Sequence, residues 1–150
     1  MSFEGSSTLV DRTAFTQARS VLGAGFVRIL GYFREDGVKS VAAIEAAMRS
    51  GSAAAMVLPA HTLKGEARQF GAEPLALLAE SIETIARDCV ETRDTPDQAI
   101  AQVARLRPLF EQTLTLLERE SNPLVERRPM PVANALAGGF GRRPGGFGRA

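Results

Sequence analysis

The chain has 150 residues, a formal net charge of +1 and one cysteine, Cys89. That length is enough for one domain with its own core. A lone cysteine excludes an intramolecular disulfide and zinc sites built on cysteine pairs. The charge is unevenly placed: the first 126 residues set 17 acids against 13 Lys and Arg, a net −4, while the last 24 carry five arginines and no acid. An acidic body argues against nucleic-acid binding, and the basic tail is too modest to reverse that expectation. No stretch approaches the ~20 apolar residues of a membrane span. The N-terminus lacks a basic segment followed by an apolar run, so it does not read as a signal peptide. A reducing, cytoplasmic setting is expected.

Helical spacing of apolar residues runs through the chain as far as residue 119. The first predicted helix, TLVDRTAFTQARSVLG, places Phe15, Ala18, Val21 and Leu22 on one face and stops at Gly23. AGFVRILGYFRED repeats apolar residues at 26, 27, 30 and 33, and GVKSVAAIEAAMRSG at 38, 41, 44 and 48. These two segments form one long helix or break at Asp36-Gly37. SAAAMVLPAHTLKGEARQFG begins at a Ser52 cap and stops at Gly71. The next segment aligns Leu75, Leu78, Ile82 and Ile85. The last opens with Thr95 as cap, Pro96 at the first helical position and Gln98 three residues on, a capping-box pattern, and Pro108 should kink it. Short linkers make neighbouring helices antiparallel. The expected fold is all-α, an antiparallel four-helix bundle over 1–120 with an additional N-terminal helix. From 121 to 150 the sequence is rich in Pro, Gly and Arg, repeats GGFGR, and is expected to be flexible.

His61 is the only histidine. On a helix turning about 100° per residue, Lys64, Gly65 and Arg68 fall within about 60° of it and Gln69 within about 80°. Met56, Ala60, Leu63, Ala67 and Phe70 lie about 140° to 180° away and form the apolar stripe. His61 therefore points outward. One histidine among scattered carboxylates is a poor metal-ligand set, so no metal site is expected. A bare surface histidine is the bland reading of this position. An exposed imidazole without a pocket otherwise suits exchange with a group presented by another macromolecule. Lys64 supplies charge for an anion, and Gly65 lets the partner come close.

The stretch AHTLKGEARQFGA resembles the signature of histidine-containing phosphotransfer (HPt) domains, H-x-L-K-G followed by Gly-Ala. His61, Leu63, Lys64, Gly65, Gly71 and Ala72 match in place, and Ile82-Glu83 stands where the family carries an apolar residue followed by Glu or Gln. The resemblance spans roughly residues 8 to 119. It implies a phosphorelay intermediate in which His61 accepts a phosphoryl group from a receiver-domain aspartate and passes it to another receiver. Glu83 would hold Nδ1–H, leaving Nε2 as nucleophile, while Lys64 would neutralise phosphoryl oxygens and Arg87 would add to that. Gly65, Arg68, Gln69 and Arg87 would border the partner, with Arg68 and Gln69 as ordinary solvated surface. Implied partners are response-regulator receivers and a histidine kinase, with this chain monomeric. The receiver would bring Mg²⁺, so this chain needs no cofactor.

The chain has no glycine-rich nucleotide loop, which argues for a carrier rather than a kinase. Two other readings are a non-phosphorylated adaptor or inhibitor and the detached phosphoacceptor domain of a larger kinase. Pro59, two residues before His61, departs from a regular helix. It either kinks the helix at 55–59 or starts a new segment.

Overall fold

The computed structural model describes residues 9–121. The Pro/Gly/Arg-rich stretch lies outside them except for Ser121. Contacts divide the chain after Thr115; the described part of the second unit, 116–121, is the end of the last helix. The described chain is helical: α1 (Arg12–Leu22), α2 (Phe26–Ser50), α3 (Ala53–Gln69), α4 (Glu73–Thr92) and α5 (Ile100–Ser121), with 3₁₀ turns at Gly23–Gly25 and Asp97–Ala99. Helices α2 to α5 make an antiparallel bundle, and α1 flanks it.

Local chemistry sets the boundaries. The Asp11 carboxylate accepts from the backbone N–H of Thr13 and Ala14 and so caps α1. Ser52 caps α3 through Ala55 N–H, as its sequence position predicts. At the other end of α3 the N–H of Ala72 reaches back to the carbonyl of Ala67 at 2.9 Å, and that of Gly71 to Arg68 at 3.1 Å, a Schellman stop. Gly71 has φ +75°, and a Cβ there would lie 2.9 Å from the Asp11 carbonyl oxygen and from the Ala14 methyl. The same glycine thus ends α3 and seats the start of α1, whose Asp11 N–H donates to its carbonyl at 2.7 Å.

The core follows the expected stripes. Met56, Ala60, Leu63, Ala67 and Phe70 are fully buried, as are Leu75 and Ile82, while Leu78 is nearly so. Phe15, Phe26, Phe70, Phe33 and Phe110 form a continuous chain of ring contacts with centroids 5.2 to 5.7 Å apart, joining α1, α2, the end of α3 and α5. Gly37 lies against this chain. It is buried within an unbroken α2, and a Cβ there would collide with the Phe110 ring. Asp36-Gly37 is therefore a packing site and not a helix break.

Three expectations need correction. Val21, Val27 and Val38 are 83%, 65% and 47% exposed, because each sits at the margin of its stripe and the facing helix covers only the centre. Thr95 does not cap α5. Pro96 is buried with φ −86° and ψ 39°, outside helical geometry, and a 3₁₀ turn precedes the helix, which starts at Ile100. Pro59 starts no new segment: α3 runs through it, as α5 runs through Pro108. The carbonyls the two prolines leave without a helical donor belong to Ala55 and Ala104, both exposed residues within reach of water.

Candidate functional site

Helices α3 and α4 place the polar cluster that surrounds His61. Burying Leu63 and Ala67 on α3 turns His61 outward, and its side chain is 55% exposed. Burying Leu78, Ile82 and Ala86 on α4 brings Glu83 to the α3–α4 seam, where its side chain is only 7% exposed. The two meet: His61 Nδ1 lies 3.0 Å from Glu83 Oε2. Lys64 Nζ, one turn along α3, lies 2.8 Å from Oε1 and is the charge partner of that buried oxygen. Arg87, one turn along α4, donates to Oε2 from Nε at 3.0 Å and from Nη2 at 2.8 Å.

This arrangement fixes the charge of Glu83. Burial alone would raise the carboxyl's pKa above its ordinary 4.5, but hydrogen bonds from Lys64, Arg87 and His61 outweigh burial and lower it to about 2. Glu83 is thus an acceptor only. A neutral imidazole facing it must carry its proton on Nδ1, which leaves the Nε2 lone pair free. One carboxylate and two cations leave the cluster with one positive charge in excess. One turn along α3 from His61 the surface is open: a Cβ built on Gly65 meets nothing within 4 Å.

Arg68 and Gln69 separate from this cluster. Arg68 turns to α4, with Nη2 3.1 Å from Glu80 Oε1 and Nε 3.9 Å from Glu73 Oε2. Gln69 is exposed surface. Arg87 is engaged by Glu83 rather than held free for an incoming anion. Two features escaped the sequence reading. Leu58, one turn before His61 and within about 60° of it on the same helix, is 70% exposed; the i−3 spacing was its available signal. Glu66 faces Asp36 of α2, a carboxyl pair across two helices that no local spacing signals. Among the described residues no group of three or more His, Cys, Asp or Glu is placed to hold a metal ion. No helix among them is long and apolar enough to cross a membrane.

The Hpt domain family model matches residues 28–120. The chain belongs to the Hpt domain family. Among solved structures it is similar to histidine-containing phosphotransfer protein B from Pseudomonas aeruginosa PAO1. That match has a TM-score of 0.66 and 24% identity, and covers 75% of this chain and 93% of that one. It shows the shared helical-bundle fold. No curated protein sequence matches the chain. Membership makes this Hpt domain a histidine phosphotransfer carrier of the phosphorelay type.

Proposed function

We propose that His61 is the phosphoacceptor, taking a phosphoryl group from the aspartyl phosphate of a response-regulator receiver and passing it to another. The observation that carries this reading is the ring's setting: Nδ1 is engaged by a buried carboxylate, while the His61 side chain as a whole is 55% exposed. In the forward step the Nε2 lone pair forms a bond to phosphorus in line with the departing oxygen. The P–O bond to the aspartate breaks, and that carboxylate leaves with the electron pair. The proton on Nδ1 stays. The ring gains positive charge, which Glu83 balances without moving, and transfer onward reverses these bond changes. Lys64 and the excess charge of the cluster draw the anionic phosphoryl group to the ring. Mg²⁺ for the aspartyl phosphate would come with the receiver, and the phosphoryl source upstream would be a histidine kinase. No residue of this chain is assigned to nucleotide chemistry. The wide exposure around Gly65 and Leu58 fits contact with a macromolecule better than capture of a small substrate.

The test is incubation of the full chain with phosphorylated receivers, comparing the native protein with His61→Gln. Acid-labile, base-stable label in the native protein and none in the variant is expected. Label retained by His61→Gln, or none in the native protein with any receiver tried, overturns the proposal.

A further inference from the structure

Glu83 ends a flexible side chain, and a single contact with an exposed imidazole does not hold it in one orientation. Lys64 takes Oε1 from α3. The oxygen that faces the ring, Oε2, receives both Nε and Nη2 of Arg87, a planar fork with fixed geometry. Arg87 lies one turn beyond Glu83 on α4, with its side chain 58% exposed, so it packs no core. Its two donors and the ring's Nδ1 converge on one oxygen atom. We infer that Arg87 is a positioning residue: it locks Glu83 Oε2 against Nδ1 of His61 and thereby selects the ring tautomer that leaves Nε2 unprotonated.

This inference rests on His61 as the reacting group but assigns Arg87 a task separate from neutralising the phosphoryl. In water a neutral imidazole prefers the opposite tautomer, with the proton on Nε2, and that form has no lone pair to offer there. Without the fork, Oε2 loses the two donors that hold it beside Nδ1 while Oε1 stays with Lys64, and the ring then relaxes toward its preference in water.

Because His61 is the only histidine in the chain, ¹⁵N chemical shifts and two-bond ¹H–¹⁵N correlations of the imidazole report its tautomer directly. They are measured on the full chain at alkaline pH, where an imidazole is neutral. The native protein is expected to show predominantly Nδ1–H. Arg87→Ala is expected to shift the ring toward Nε2–H and to slow phosphoryl transfer several-fold, with its helical fold preserved and its thermal transition lowered. Arg87→Lys, which keeps one donor and the charge, recovers part of both losses. An unchanged tautomer in Arg87→Ala overturns the inference. If transfer slows while the tautomer stays native, Arg87 acts on the phosphoryl group itself and the positioning role is wrong. The tautomer is read without any phosphotransfer, so a native chain that takes no label removes the proposed function and leaves this result standing.

Discussion

Two glutamates of neighbouring helices face opposite fates in this bundle. Glu83 of α4 is buried at the α3–α4 seam with Lys64, Arg87 and His61 directed at it, and its pKa falls to about 2. Glu66 of α3 lies on the side toward α2, where burial first and Asp36 second raise its pKa to about 7. Burial opposes ionisation at both sites: at Glu83 the cations override it and leave a permanent acceptor, while at Glu66 nothing offsets it and Asp36 adds to it, leaving a proton holder. A buried carboxylate thus serves the imidazole only because two cations accompany it.

The comparison can be broken from the Glu83 side first, where the expected effect is largest. Glu83→Ala leaves Lys64 and Arg87 without their counter-charge and His61 without its acceptor. At neutral pH it is expected to cost about 1–3 kcal/mol of stability in urea unfolding, and transfer should fall by more than in Arg87→Ala. The pH dependence follows from the depressed pKa. The ionised carboxylate stabilises the fold fully above the ordinary 4.5, and that contribution is lost as pH falls through about 2. The difference between native and variant should therefore narrow in acid. A difference that stays constant down to the acid limit contradicts the assignment.

From the other side the sign reverses. Glu66 binds its proton more tightly in the folded state, so its contribution is full below 4.5 and is lost as pH rises through about 7. Glu66→Gln removes that loss. It is expected to be more stable than the native chain at alkaline pH by on the order of 1–2 kcal/mol, with the gain vanishing below 4.5; melting curves across pH check this. A variant that is less stable at every pH shows that Glu66 has a needed partner and breaks the contrast.

The smallest effect is expected from Asp36→Asn, which removes the neighbouring charge but leaves the burial that contributes most. A gain of about 0.5 kcal/mol at alkaline pH is expected. A gain equal to that of Glu66→Gln would mean that the neighbouring charge, rather than burial, governs this site.

The half of this contrast that concerns Glu83 was legible in the sequence. Helical phase alone sent His61 outward, opposite Leu63 and Ala67, and set Lys64 one turn away. The resemblance added Glu83. Arg87 was visible as its i+4 neighbour, but whether its guanidinium faces the carboxylate or solvent depends on rotamers that spacing does not determine. Glu66 and Asp36 were not legible as a pair, because 30 positions separate them and only the α2–α3 turn brings them face to face. The start of α5 misled for a related reason. Thr95, Pro96 and Gln98 satisfy a local capping pattern, yet burial of Pro96 against the bundle prevails over it and delays the helix to Ile100. Pro59 left two readings open in the sequence, and the one with a new helical segment falls, because α3 continues through it to His61 and beyond.

The central claim is that Glu83 holds one ring nitrogen so that the other does the chemistry. The most direct measurement is the position of the phosphoryl group on the ring after transfer from a phosphorylated receiver, read by phosphorus and nitrogen NMR on the single histidine. Phosphorylation at Nε2 is the expected result. A phosphoryl group on Nδ1, the nitrogen 3.0 Å from Glu83 Oε2, would contradict the account.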